Sequence, residues 1–316
     1  MIDMEQKIIY FDQNAWIYLA QSFFGENTDP ELKVVVDTLM EKVNAGELIV
    51  PLSMTHAFET LKHRNTISRE RLVNFMMDIS KGYTLQPYTS IIDAEVEQAI
   101  NKRLNLPKID MKAVVLKEGL PNLFGTEGMF TGGTLIQRQT AIRLLHSPAL
   151  LKWSLLNEDL ARFESTWDIN GELVGTLEIL RQESLKVKDK KRREDVATVK
   201  QIGSLIPRVS DILQNKNLEP IDILKMGQTR EEITSFLKDV PSAYVSLVLT
   251  HERDKQLHRP IKPNDMNDIA SLSVAIPYCD IVVAENMFGS IARNKKLDNL
   301  YSTKIISSVK DLKNYF

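Results

Sequence analysis

Lys7-Ile8-Ile9-Tyr10-Phe11-Asp12-Gln13-Asn14 is a short apolar run, rich in Ile and aromatics, that stops at an acid with an amide two residues on. Such a run reads as a buried strand, and the residues after it change period. Trp16, Leu19, Ala20 and Phe23 share one face of a helix over 15–24. A second helix opens at Pro30, keeps its apolar spacing through Leu32, Val35, Val36, Leu39, Met40 and Val43, and stops at Asn44-Ala45-Gly46. Residues 48–52 read as a second strand, Ser53 as the N-cap of a helix to about Arg64, and 69–81 as a further helix. Strand and helix alternating in this way predict parallel strands joined by crossovers.

The alternation returns at the far end. A helix starts at Asp265 or Asp268 and is expected to end at Pro277; a strand covers 280–284, a helix 286–293, a last strand 304–308 and a short helix 308–315. Between them the patterns are helical, over 92–104, 134–145 and a long charged stretch at 150–213. The expected architecture is therefore α/β, a parallel sheet flanked by helices built from residues 1–90 and 255–316. Residues 91–254 form a large, mainly helical insertion or cap.

Carboxylates sit where the apolar runs stop. Asp12 follows the first strand, Glu59 lies about two turns into the helix after the second, Asp265 and Asp268 open the helix near 265, and Glu285 follows the strand at 280–284. In an open parallel sheet, ligands collect at the carboxyl ends of the strands, at a topological switch point. Several carboxylates gathered there repel one another unless a cation neutralises them. An all-oxygen set suits Mg²⁺ or Mn²⁺ rather than zinc.

The composition narrows the alternatives. A net charge of −2 supplies no bulk attraction for nucleic acid, so any polyanion must be gripped by a local basic patch. Arg253, Lys255, Arg259 and Lys262 lie just before the acidic helix and are candidates for that patch; the run 186–193 is a second, weaker one. A single cysteine and five scattered histidines argue against a disulfide or a Cys/His zinc site. The acidic start at residues 1–5 lacks a signal-peptide core, and no apolar run approaches membrane-spanning length, so a cytoplasmic protein without membrane contact is expected. No Gly-Lys-Ser/Thr phosphate loop occurs, which argues against an NTPase.

These motifs together resemble the PIN-domain ribonuclease family. Tyr10-Phe11-Asp12-Gln13-Asn14 is similar to the family's first strand end, and Pro51-Leu52-Ser53-Met54-Thr55-His56-Ala57-Phe58-Glu59 to its second strand and Glu-bearing helix. Asn267-Asp268-Ile269-Ala270-Ser271-Leu272 and Tyr278-Cys279-Asp280-Ile281-Val282-Val283-Ala284-Glu285-Asn286 are similar to the segments carrying the third and fourth acids. The fourth position is Glu where Asp is commoner. The resemblance implies a Mg²⁺- or Mn²⁺-dependent endoribonuclease. Asp12, Glu59, Asp268 and Glu285 would be metal-holding and catalytic, Asp265 an auxiliary ligand, and Asn14 a support. The choice of Asp265 or Asp268 as principal third ligand stays open, the apolar run after Asp268 favouring it. The implied partners are RNA, including structured RNA, and an antitoxin or a second copy of the chain, in a toxin–antitoxin or defence setting.

Each residue also has a plainer reading. Asp12 is a good N-cap, Asp265 and Asp268 suit a helix's first turn, and Asn14 suits an Asx turn. His56 and Trp16 fit structural positions better than chemical ones. Asp280 precedes its strand, at the opposite sheet edge, and fits a turn. Two other functions remain at this stage: a PIN-like scaffold that binds RNA or protein without cleaving, and a Mg²⁺ phosphohydrolase acting on DNA or nucleotides.

Overall fold

The computed structural model describes residues 6–126, 132–157, 169–218, 229–256 and 258–316, with side chains described from 174 in the helix that starts at Ile169. The acidic start at 1–5 lies outside these residues. The chain forms two compact units: Met1–Pro87, Val115–Asp168 and Val274–Phe316 in one, Tyr88–Val114 and Ile169–Ser273 in the other.

The first unit is built on a parallel sheet of four strands: β1 (Lys7–Phe11), β2 (Leu48–Ile49), β5 (Ile281–Val283) and β6 (Lys304–Ile306), in the order β2-β1-β5-β6. From Ile8 to Phe11 every β1 side chain is buried, as a strand covered on both faces requires. β1 crosses to β2 through α1 (Gln13–Phe23) and α2 (Pro30–Asn44); β5 crosses to β6 through the helices Asn286–Asn294 and Leu297–Tyr301. Trp16 and Leu19 of α1 and Val35, Val36 and Leu39 of α2 join Ile9 and Phe11 in one apolar core, where Trp16 meets Phe11 edge-on at 5.2 Å. The expected strands at 48–52, 280–284 and 304–308 all form, each shorter than the apolar run suggests.

The boundaries of the insertion differ from expectation. α3 (Met54–Leu61), α4 (Thr66–Ser80) and β3 (Tyr83–Leu85) lead out of the sheet. After α5 (Tyr88–Leu104) and α6 (Met111–Val115), the chain returns through β4 (Leu116–Glu118), α7 (Leu120–Phe124), α8 (Leu135–Leu145) and α9 (Pro148–Leu156). β4 pairs antiparallel with β3, matching Tyr83 to Glu118 and Leu85 to Leu116. Buried Asn122 donates its amide to Thr84 O at 2.8 Å, Thr84 Oγ1 at 3.0 Å and Val115 O at 3.3 Å. Leu123, Leu151 and Leu155 enter the same core as the sheet. The stretch from 115 therefore belongs to the α/β unit, not to an insertion running unbroken from 91 to 254.

The second unit is helical. Ile92, Val96, Ala99 and Ile100 of α5 pack with Leu205 of the helix Lys190–Asn215 and with Phe236, Leu237, Val240 and Ala243. The expected single stretch at 150–213 is instead broken, its described parts being α9 and the helices Ile169–Leu185 and Lys190–Asn215. Residues 255–273, expected in the α/β unit, fall here. The Glu178–Arg181 pair explains it: Arg181 Nη1 donates to Gln256 O at 3.0 Å, and Glu178 accepts from Ile261 N at 3.2 Å. The unit boundary passes through the helix Pro263–Tyr278, which carries Pro277 within it rather than ending before it.

Asn122 offers a direct check on the corrected boundary. Asn122→Ala strips three backbone and hydroxyl acceptors of a buried donor, so unfolding of the α/β unit in urea should weaken by about 1–3 kcal/mol. An unchanged midpoint would show that 115–124 is peripheral to that unit.

Candidate functional site

Strand order fixes where a site can form. β1 hands the chain to β2 on one side and β5 hands it to β6 on the other, so the switch point lies between β1 and β5. Their register sets Phe11 opposite Val283, and Asp12 N donates to Val283 O at 3.0 Å. Asp12 and Glu285 therefore leave neighbouring strands side by side, each as the N-cap of the next helix. A cavity of about 530 Å³ opens there, lined by Asp12, Asn14, Tyr18, Glu285 and Asn286, with Asp29, Ser307, Ser308 and Lys310 on its other walls.

Asp12 does two things at once. Its Oδ1 accepts from Ala15 N at 2.8 Å, which is the capping reading. Its carboxyl is also pushed up from an ordinary value of 3.8 to about 6. Burial is the largest cause; the nearby charge of Glu285 adds to it, while the backbone N–H groups of Ala15 and Glu285 work against it. Glu285 itself is exposed, and its Oε1 accepts from the Asn14 amide. Asn14 thus orients the second carboxylate rather than closing only a local turn.

Asp29 and Lys310 form an ion pair on the cavity wall. Lys310 holds the Asp29 carboxyl below its usual range, and Asp29 raises the Lys310 ammonium. The sequence reading missed both residues. The signal was available, because residues 307–310 follow β6 at the same carboxyl edge that singled out Asp12 and Glu285.

The remaining expected residues are not among those lining this cavity. Glu59 sits half-buried on α3 and is not among the residues lining this cavity. α3 is fixed against the end of β1 by His56, whose Nδ1 accepts from Ser53 N at 3.0 Å and whose Nε2 lies 2.8 Å from Phe11 O. Burial lowers the His56 imidazole to about 4, so it is neutral and structural. Asp280, at the other edge, accepts from Ile8 N at 2.7 Å, the expected turn role.

Asp265 and Asp268 belong to the second unit. Asp265 is buried, and both its oxygens are taken: Oδ1 by Arg259 Nη2 at 2.6 Å, Oδ2 by Arg259 Nη1 at 2.8 Å and Lys262 N at 3.0 Å. Asp265 is thus committed to an ion pair with Arg259 in place of the expected auxiliary metal contact, while Asp268 is half-buried.

The proposed basic patch is also corrected. Arg253 is buried and donates to Asp254 Oδ1 at 2.7 and 3.0 Å. Lys255 bridges Glu252 and Glu194, and Arg259 is held by Asp265. Lys262 alone of these four has an exposed side chain. Among the described residues, no helix is long and apolar enough to cross a membrane.

The Asp12 shift has a signed consequence. A raised carboxyl means that the folded chain holds a proton the unfolded chain has lost, so its stabilising contribution is complete below pH 3.8 and is lost as pH rises through about 6. Asp12→Asn should flatten the stability profile between about pH 4 and about pH 7. At the upper end it should exceed wild type by on the order of 2–3 kcal/mol. Parallel profiles for the two proteins would place the carboxyl in water. Comparison with protein-family models, with curated proteins and with solved structures found no match.

Proposed function

We propose that the cavity between β1 and β5 is the active centre of a divalent-metal-dependent phosphodiester hydrolase, an endoribonuclease of PIN type. One observation carries this reading: Asp12 and Glu285 emerge from adjacent parallel strands at the switch point, in an open cavity, with the Asp12 carboxyl raised by burial and by its acidic neighbour. Two neighbouring oxygen ligands fit a hard cation, which would favour the ionised form of the Asp12 carboxyl. Asp12 and Glu285 would hold it, and bound Mg²⁺ or Mn²⁺ supplies water activation and charge neutralisation for phosphoryl chemistry.

The chain's own groups do the positioning. Asn14 fixes the Glu285 carboxylate, and the Ala15 N–H holds one oxygen of Asp12 so that the carboxyl cannot swing. Lys310, on the opposite wall, is placed to meet a phosphate oxygen, and half-exposed Tyr18 to take a base on its ring. The sequence resemblance adds Glu59 and Asp268 as further acids, with antitoxin or self-association as its implied partners.

A second reading, a PIN-like scaffold that binds without cleaving, draws on a specific observation: Glu59 does not line the cavity that holds Asp12 and Glu285. Labelled single-stranded RNA, duplex RNA, single-stranded DNA and flap DNA incubated with Mn²⁺ separate the readings. RNA should be cut internally, and Asp12→Asn and Glu285→Gln should each lower the rate roughly a hundredfold or more, the scale expected when groups that stabilise transition-state charge are lost. Asn14→Ala should cost less, because it acts through Glu285. Glu59→Gln and Asp268→Asn test the two acids added by resemblance. RNA bound but uncut by wild type supports the scaffold; cleavage unaffected by Asp12→Asn refutes the assignment of the site.

A further inference from the structure

The second unit contains its own cavity, about 280 Å³, between the helices Ile169–Leu185, Lys190–Asn215 and Pro241–Asp254. It sits just below the roughly 300–1,000 Å³ range of small-ligand pockets. Its lining mixes apolar residues such as Leu177, Leu180, Ala197 and Leu247 with several cations.

The pairing of those cations decides what the cavity can hold. Arg181 is neutralised by Glu178 at 2.6 Å and Arg253 by Asp254 at 2.7 Å. Lys255 lies 2.5 Å from Glu252 and 3.4 Å from Glu194. Among the described residues, two lining cations remain without a carboxylate. Arg193 donates Nη1 to Val187 O at 2.6 Å, and its buried Nε has no acceptor among the described residues. Lys200 is exposed, with no ion pair or hydrogen bond among the described residues. They stand seven residues apart on one helix, two turns along the same face. His251 also lines the cavity, and its Nε2 is buried without a hydrogen-bond partner. Burial and the nearby Lys255 keep that imidazole below its ordinary titration range, so it is a neutral reader rather than a third charge.

Glu194, His251 and Glu252 come close enough together to suggest a metal. The Lys255 ammonium already occupies the space between the two carboxylates, so the cluster is a closed ion-pair network.

We propose that this cavity binds a nucleoside monophosphate, its phosphate on Arg193 and Lys200 and its base against the lining leucines. The chemistry matches part by part: unneutralised cations for the phosphate, apolar surface for a planar ring, and the His251 imidazole with the Ser246 and Thr250 hydroxyls for the polar edges of base and ribose. The proposal is independent of the hydrolase reading, since none of these residues belongs to the Asp12 cavity.

Calorimetric titration of the full chain with AMP, GMP, CMP and UMP tests it. EDTA in the buffer prevents a cation bound at Asp12 from contributing. At least one nucleotide should bind saturably, with the matching nucleoside and inorganic phosphate each at least tenfold weaker. Lys200→Ala and Arg193→Gln should each weaken binding about tenfold, while Asp12→Asn should leave it unchanged. Lys200 is exposed and unpartnered, so its variant keeps the test decisive even if Arg193→Gln perturbs folding. No saturable binding at millimolar nucleotide, binding matched by phosphate alone, or binding indifferent to Lys200→Ala would each overturn the assignment.

Discussion

The pairing of β1 with β5 is the constraint on which the candidate active centre depends. It joins segments roughly 270 residues apart and is pinned at both ends. Asp280 N donates to Ile8 O at 2.9 Å and Ile8 N to the Asp280 carboxylate at 2.7 Å, while at the other end Asp12 N reaches Val283 O. A slip of one residue would send one strand's side chains to the opposite face of the sheet and would carry Asp12 away from Glu285. The long separation also means that the site forms only after a costly loop closure, so an intact site reports a completed α/β unit.

The two ends of this strand pair show how one residue type serves opposite purposes. Asp280, at the amino edge, receives a backbone N–H and completes the ladder. Asp12, at the carboxyl edge, also receives a backbone N–H but sits half-buried beside a second acid, and its carboxyl rises to about 6. The difference is environmental. At the switch point the crossovers diverge and leave a cavity, and burial there is not offset by a cation of the chain. Lys310, which also lines the cavity, is paired with Asp29.

Much of this was legible in the sequence because it rests on local signals. The run 7–11, its acid, the helical stripe through Trp16 and the strand before Glu285 gave the sheet and two of its site carboxylates. The boundary of the helical part was not legible. β3 and β4 span three residues each, too short for a periodic signal, and the partner that matters, Asn122, is a buried polar residue with no sequence signature. Asp265 shows a different failure. Its position at a helix start marked it as an auxiliary ligand or a first-turn acid, whereas Arg259, six residues earlier, folds back and takes both of its oxygens.

The basic segment at 253–262 generalises that point: density of charge along a chain does not measure charge available to a ligand. Arg253 is buried and held by half-buried Asp254, so it can turn to a ligand only by leaving that carboxylate unpaired. Lys310 is different. Its pair with Asp29 is solvent-accessible and well screened, so an entering phosphate oxygen can replace Asp29 at small cost. In a chain of net charge −2, with no bulk field to attract a polyanion, recognition must rest on such exchangeable or unpaired cations. Lys310 in one cavity, and Arg193 with Lys200 in the other, meet that requirement, whereas the denser run at 253–262 largely does not.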